Sequence, residues 1–270
     1  MDNRPIGVFD SGLGGLTAAS ELEALMPNEQ IIYLGDSYNM PYGEKTREQI
    51  IKMSESNLRF LLSHDVKAVF VACGTATTNA LEILKAESPV PVCGVVQPAV
   101  CEAIAATKNG KIGLLATRAS VASGVYQALL RSMSPELKIT AEACPRFAAM
   151  VEEGIFDRHD ERVRAAVSEY LPALKLAGVD TIILGCTHYP LLADVISEYM
   201  GGGVKLISSG AAAARSLCAM LRSREMTCES RQPLTSFYTT GEAADFAKTA
   251  QLMLKRDISS QLNKIEPLKL

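Results

Sequence analysis

Short apolar runs rich in β-branched residues recur along the chain, and longer stretches of helical period separate them. Eight such runs are "IGVFD", "QIIYLGD", "AVFVAC", "PVCGVV", "KIGLLAT", "TIILGC", "VKLIS" and "TSFYTT". A strand that is apolar on both faces must be covered on both, so runs of this kind between helices predict βα units in mainly parallel sheets. Ile51, Leu58, Leu61 and Leu62 fall on one helical face, as do Val163, Val167, Tyr170, Leu171 and Leu174. Pro27 is expected to stop the first helix, and Pro172 to kink or restart a later one. The pattern is that of an α/β protein.

The pattern also repeats. "PIGVFDSG" at 5–12 and "KIGLLATR" at 111–118 are both strands running into a small polar tip, with Asp10 opposite Ala116 and Ser11 opposite Thr117. About sixty to seventy residues after each tip comes a strand ending in a cysteine with a threonine close behind: "VFVACGTATTNA" at 69–80 and "TIILGCTHYPLL" at 181–192. The simplest reading is two similar α/β domains with a cleft between them, each supplying one polar tip and one cysteine. In open α/β sheets, active residues gather beyond the carboxyl ends of strands, where both cysteines are expected.

Composition narrows the functional classes. The 270 residues are 48% hydrophobic and 21% charged, ordinary for a globular chain able to hold one large core or two modest ones. A net charge of −3 offers no basic field for a nucleic-acid backbone. No apolar run reaches the length of a membrane span, and "MDNRPIGVFD" has no signal-peptide core. Seven cysteines at irregular spacing do not form a disulfide framework, so a reduced, cytoplasmic protein is expected.

Most buried cysteines are small hydrophobes, and Cys93, Cys101, Cys144, Cys218 and Cys228 are read that way. Cys73 and Cys186 differ, because each ends a strand and precedes hydroxyl-rich residues. A helix starting there would favour the thiolate through its amides and dipole. Three uses compete. A zinc site fits poorly, with no paired cysteines and with His64 and His159 in polar helix-end contexts. A cysteine–histidine hydrolase built on Cys186 and His188 leaves Cys73 without a role. Proton transfer at both faces of one substrate carbon needs an acid on one side and a base on the other, and accounts for the repeat.

The opening "FDSGLGGLTAASELE" adds Gly12, Gly14 and Gly15, which permit a tight strand-to-helix turn whose amides can hold an anion. Their spacing matches neither the dinucleotide fingerprint nor the Walker loop. Asp10 ends a buried strand, where an unpaired carboxylate calls for a cationic or ammonium partner. "SYNMPYGEKT" at 37–46 follows another strand end, and its amides and phenol suit a carboxylate ligand.

Taken together, "GVFDSGLGGL", "GDSYNMPYG", "VACGTAT", "MVEEG" and "LGCTHYPLL" resemble, in order and spacing, the cofactor-independent amino-acid racemases, and specifically the glutamate racemases. The resemblance runs from about residue 6 to "FYTTG" near the C-terminus. It implies two catalytic thiols, Cys73 and Cys186, flanking the substrate α-carbon from opposite domains. Asp10 resembles the carboxylate near the first, His188 the imidazole assisting the second, and Glu152 an acidic residue beside it. Ser11, Gly74, Thr75, Thr117, Thr187 and His188 resemble ligands of the amino and α-carboxylate groups, with Asp10 shared, while Tyr42 and Gly43 resemble receivers of the side-chain carboxylate. No pyridoxal or other cofactor and no metal are implied. The implied activity interconverts L- and D-glutamate for peptidoglycan, in a homodimer without nucleic-acid or membrane partners. The implied domains are 1–97 with 207–270, and 98–206. Some members have an N-terminal extension tied to activation by a wall precursor, and a chain beginning this near its first strand is expected to lack that control.

Two positions depart from the family pattern. Gly74 stands where an asparagine is usual, and loss of one side-chain hydrogen bond to substrate costs about 1–3 kcal/mol. That opens two other readings, a racemase of another acidic amino acid and a weakened dicarboxylate or amino-acid binding protein. Ser120 replaces a common threonine and keeps the hydroxyl.

Overall fold

The computed structural model describes residues 1–229 and 235–269. The chain begins β1 (Ile6–Asp10), α1 (Gly15–Leu25), β2 (Ile31–Gly35), α2 (Arg47–Leu62), β3 (Ala68–Val71), α3 (Gly74–Glu87) and β4 (Val92–Gly94). Helix α4 (Val96–Ala106) leads to a second set: β5 (Lys111–Ala116), α5 (Arg118–Ser123), α6 (Val125–Met133), β6 (Lys138–Ala143), α7 (Pro145–Glu152), α8 (Glu161–Tyr170), α9 (Pro172–Ala177), β7 (Thr181–Leu184), α10 (Ala193–Met200) and β8 (Lys205–Ser208). The chain then returns through α11 (Ser209–Ser223) to β9 (Ser236–Thr239), α12 (Ala243–Leu254) and β10 (Leu262–Lys264).

Two parallel sheets result, ordered β10-β9-β2-β1-β3-β4 and β6-β5-β7-β8. The order β2-β1-β3-β4 recurs as β6-β5-β7-β8, so β1 corresponds to β5 and β3 to β7. This is the repeat read in the sequence. Both sheets have their central strands fully buried, as apolar runs without alternation require. The expected limits cut two elements: 97/98 lies inside α4, and 206/207 lies within β8, which pairs with β7 through Ser208. The hydrophobic run of β8 continues into the small residues of α11, so the sequence shows no break there.

Local chemistry fixes the helix ends. Thr46 caps α2, its hydroxyl accepting from the Gln49 amide at 3.3 Å while the Gln49 side chain accepts from the Thr46 amide at 3.0 Å. Helix α1 ends before Pro27, and Pro172 starts α9 directly after α8. The second predicted helical face is buried as expected, from Val163 to Leu174. The face of α2 is rotated: Leu58 and Leu61 are buried with Ile50 and Met53, while Ile51 and Leu62 are half-buried. The inward face also holds Asn57, a buried polar residue that an apolar period does not register. Two strands, β6 and β10, lack the apolar signature because both lie at sheet edges, half-exposed and carrying lysines.

Beneath the first sheet, Lys67 is fully buried with its Nζ 2.5 Å from Glu29 Oε2 and 2.7 Å from the Asp2 carbonyl. Glu29 also accepts from the Cys228 amide at 2.8 Å. The pair thus ties the N-terminal segment to the stretch after α11. Removing one partner strands a buried charge, so Lys67→Met is expected to lower unfolding free energy by about 3–5 kcal/mol in urea titrations. A loss under about 1 kcal/mol, the value of an exposed pair, would contradict this.

Candidate active site

Residues just beyond β1, β3, β5 and β7 line one cavity between the two sheets, with about 580 Å³ of empty space partly open to solvent. Asp10, Ser11, Tyr42, Gly43, Cys73, Thr75, Thr117, Glu152, Cys186, Thr187 and His188 are all on its wall. Gly74 is not. Pro41, Glu44, Arg118, Pro145, Ala148 and Ala149 complete the wall. Pro145, Ala148, Ala149 and Glu152 lie three and four apart on α7, one face of one helix. The small residues of "PRFAAMVEEG" at that spacing were the available signal.

Cys73 caps α3, its Sγ accepting from the Ala76 amide at 3.4 Å and lying 3.6 Å from Ser11 Oγ. The helix start is as expected, but its effect on the thiol is outweighed. Burial and then the Asp10 charge push the Cys73 thiol up to about 12, against the lowering by the Ala76 amide and Ser11. Asp10 is itself raised, by burial first, with His188 and the Gly12 and Gly15 amides pulling the other way. Its Oδ2 accepts from the Gly12 amide at 2.9 Å, and Oδ1 is buried without a partner among the described residues. Asp10 lines the cavity, and a buried carboxylate oxygen without a partner calls for a cationic group.

In the second half, Cys186 is followed by a turn into a short 3₁₀ segment, Tyr189–Leu192, rather than by an α-helix. Its partner is local: Sγ lies 3.3 Å from His188 Nδ1. His188 Nε2 is 3.0 Å from Glu152 Oε1, at an angle too oblique for a well-aligned hydrogen bond. Burial opposes charge on this imidazole, but Cys186 and Glu152 together raise it well above the ordinary histidine value. A cationic His188 between the Cys186 sulfur and the Glu152 carboxylate is the resulting arrangement. Glu152→Gln removes a negative neighbour, which disfavours the imidazolium. His188 should then titrate at lower pH, and the alkaline limb of the kcat/KM profile should move to lower pH with it. An unmoved histidine titration in NMR would contradict the coupling.

Close contacts, two of them between the halves, account for Gly14, Gly15 and Gly74. Gly12, Gly14 and Gly15 make the tight strand-to-helix turn between β1 and α1, and none of the three is among the residues lining the cavity. A Cβ on Gly14 would overlap the His188 ring, and one on Gly15 would come within 2.5 Å of Asp10 Cβ. A Cβ on Gly74 would overlap the Gly185 carbonyl, a backbone atom of the opposite half. Position 74 therefore serves the approach of the two cysteine-bearing turns. Hydroxyls bridge the halves beside it, Thr75 to Thr117 at 2.9 Å and Thr78 to Ser120 at 3.4 Å, and Thr117 donates to Ser120 at 3.0 Å within the second half. Thr17 Oγ1 donates to the Thr187 carbonyl at 2.8 Å.

The Tyr42 phenol is engaged away from any ligand. It donates to Asp36 Oδ2 at 2.5 Å and accepts from Asn57 Nδ2 at 3.1 Å. Asp36 also accepts from Thr240 at 2.8 Å. Tyr42 and Gly43 open a 3₁₀ turn, Tyr42–Glu44, whose first amides have no partner within the turn. Those amides, not the phenol, are the donors available to a carboxylate. Cys93, Cys101, Cys144, Cys218 and Cys228 are off the cavity wall. Among the described residues no group of three or more His, Cys, Asp or Glu is placed to hold a metal ion.

The sequence profile of the Asp/Glu/hydantoin racemase family matches residues 17–217. A glutamate racemase of Lactococcus lactis subsp. lactis is 46% identical over 94% of this chain and 93% of its own length. Among solved structures, a Bacillus anthracis glutamate racemase isoform has a TM-score of 0.95 at 36% identity, covering 100% of both chains. A Francisella tularensis glutamate racemase crystallised with D-glutamate has a TM-score of 0.89 at 32% identity, covering 100% of this chain and 98% of its own. With two like sheets, a cysteine beyond the corresponding strand of each, and relatives matching nearly end to end, the chain belongs to the glutamate racemases of the Asp/Glu/hydantoin racemase family.

Proposed function

We propose that the chain interconverts L- and D-glutamate without a cofactor, supplying D-glutamate for peptidoglycan. The observation that carries this reading is the placing of Cys73 and Cys186 beyond corresponding strands of the two sheets, on the wall of one cavity. Inverting a carbon needs proton transfer at both faces, and a thiol from each half provides it. One sulfur, as thiolate, takes the α-proton, while the other, as thiol, delivers a proton to the opposite face. The roles exchange when the substrate's handedness reverses.

The surroundings support the division. Asp10, on the cavity wall, receives the substrate ammonium, which offsets the carboxylate charge that holds the Cys73 proton on sulfur. The His188 imidazolium lies against the Cys186 sulfur, and Glu152 steadies that imidazolium. Ser11, Thr75, Thr117 and Thr187 offer hydroxyls to the amino and α-carboxylate groups. The Tyr42 and Gly43 amides receive the side-chain carboxylate. Fixed donors around the carboxylate stabilise the carbanion-like state without reorganising.

Assembly as a homodimer and a cytoplasmic location belong to the same reading and rest on the family resemblance. Among the described residues no helix is long and apolar enough to cross a membrane. The test is incubation of the purified chain with L-glutamate, D-glutamate or L-aspartate, without added cofactor, followed by chiral separation. Racemisation of both glutamate enantiomers is expected. Racemisation of aspartate in preference to glutamate would move the reading to another acidic substrate, and none with either would overturn it.

A further inference from the structure

Arg118 is the one cavity-wall cation left unengaged among the described residues. It is exposed, opens α5 directly after Thr117, and makes no ion pair or side-chain hydrogen bond there. Apart from His188, the other ionisable groups of formal charge on the wall are acidic, namely Asp10, Glu44 and Glu152. His188 is already engaged by Cys186 and Glu152. A cation in the first turn of a helix is opposed by the helix dipole, so local helix chemistry does not account for an arginine at this position.

A dicarboxylic amino acid carries two carboxylates and one ammonium, and so enters with net negative charge. Three wall carboxylates repel it. Asp10 is suited to the ammonium, and backbone amides and hydroxyls are the only neutral donors for the two carboxylates. We propose that Arg118 is a substrate-binding residue at the cavity mouth. Its guanidinium draws in the anionic substrate and pairs with a carboxylate, favouring dicarboxylic over monocarboxylic amino acids. The planar fork of an arginine can hold both oxygens of one carboxylate, which a lysine cannot. This inference rests on the glutamate racemase reading and adds a residue that the sequence motifs did not single out.

The experiment compares wild type, Arg118→Gln and Arg118→Lys in both directions of racemisation, at low and high ionic strength. Arg118→Gln is expected to raise KM for glutamate by about threefold to tenfold, the range for a partly exposed charge pair, with a much smaller change in kcat. The fall of kcat/KM with added salt should flatten in the same variant, because the steering charge is gone. Arg118→Lys should restore the salt dependence and only part of the KM. A wild-type KM and salt response in Arg118→Gln overturns the proposal, as does a fall in kcat with KM unchanged. Equilibrium binding of D-glutamate to wild type and Arg118→Gln is measured in parallel. If wild type does not racemise glutamate, the functional reading fails. Binding that still weakens threefold or more in the variant then supports the role of Arg118, and unchanged binding overturns it.

Discussion

Replacing either Cys73 or Cys186 by serine is expected to slow glutamate racemisation by a factor on the order of 10²–10⁴, the span attributed to one positioned acid or base. Serine keeps the size of the side chain and most of its hydrogen bonds, but its hydroxyl gives up a proton far less readily. The effect should be as large at Cys73 as at Cys186 despite their different surroundings. Cys73 sits buried against Asp10 with its thiol pushed up to about 12, and Cys186 sits against His188. Each is needed in both directions, once as base and once as acid. The double variant should therefore be about as impaired as either single one, since the two act as a unit. Near-normal turnover in either single variant would rule out a two-thiol mechanism.

The second large effect is expected at a residue off the cavity wall. Gly74→Ala places a Cβ where the Gly185 carbonyl lies, and that atom belongs to the backbone just before Cys186. A flexible side chain could move aside, but this carbonyl can yield only by separating the two cysteine-bearing turns. Misplacing reacting groups by about 1 Å can cost on the order of 10²-fold in rate, and a loss of that size in kcat is expected. Overpacking should also lower unfolding free energy by about 1–3 kcal/mol, so activity is to be read well below the thermal transition. Gly74→Asn, which installs the residue usual in the family, should be at least as damaging here. An asparagine variant as active as wild type would mean that the approach of Gly185 to Gly74 does not set the geometry of the cleft.

Gly74 also shows where the sequence stops being informative. Read by its neighbours in "VACGTAT", it is a missing substrate contact. In three dimensions it is a contact between halves, because the position faces residue 185, more than a hundred residues away. Gly14 behaves alike: a glycine-rich turn reads as an anion cradle, yet the space it leaves is filled by His188. Such pairings depend on how the two sheets meet, which no local pattern encodes. Features carried by one element were legible. The eight apolar runs became strands, and the repeated strand–tip–cysteine order became two sheets of the same strand order. Edge strands β6 and β10 were missed because exposure erases the apolar run that marks a buried strand.

The same division applies to the chemistry. Cys73, Cys186 and Asp10 stood out because each ends a buried strand in polar company, a signal that needs only a few residues. The direction of the Cys73 shift did not follow from sequence, since the helix start that favours a thiolate is outweighed by burial and by Asp10, both set by packing. Tyr42 was legible as a cavity residue, but its hydroxyl is spent on Asp36 and Asn57, brought to it by β2 and α2. Arg118 carried no motif at all and emerged only from the charge of the assembled wall.

The central claim is that separate thiols serve the two faces of the α-carbon. The most direct measurement is the early time course of deuterium entry in deuterium oxide, starting from unlabelled L-glutamate and, separately, from unlabelled D-glutamate. With one sulfur per face, the enantiomer being formed should carry deuterium at the α-position from the first turnovers, while the remaining starting enantiomer stays unlabelled. Product that keeps the substrate's own proton, or starting material that takes up deuterium as fast as product forms, would contradict the account.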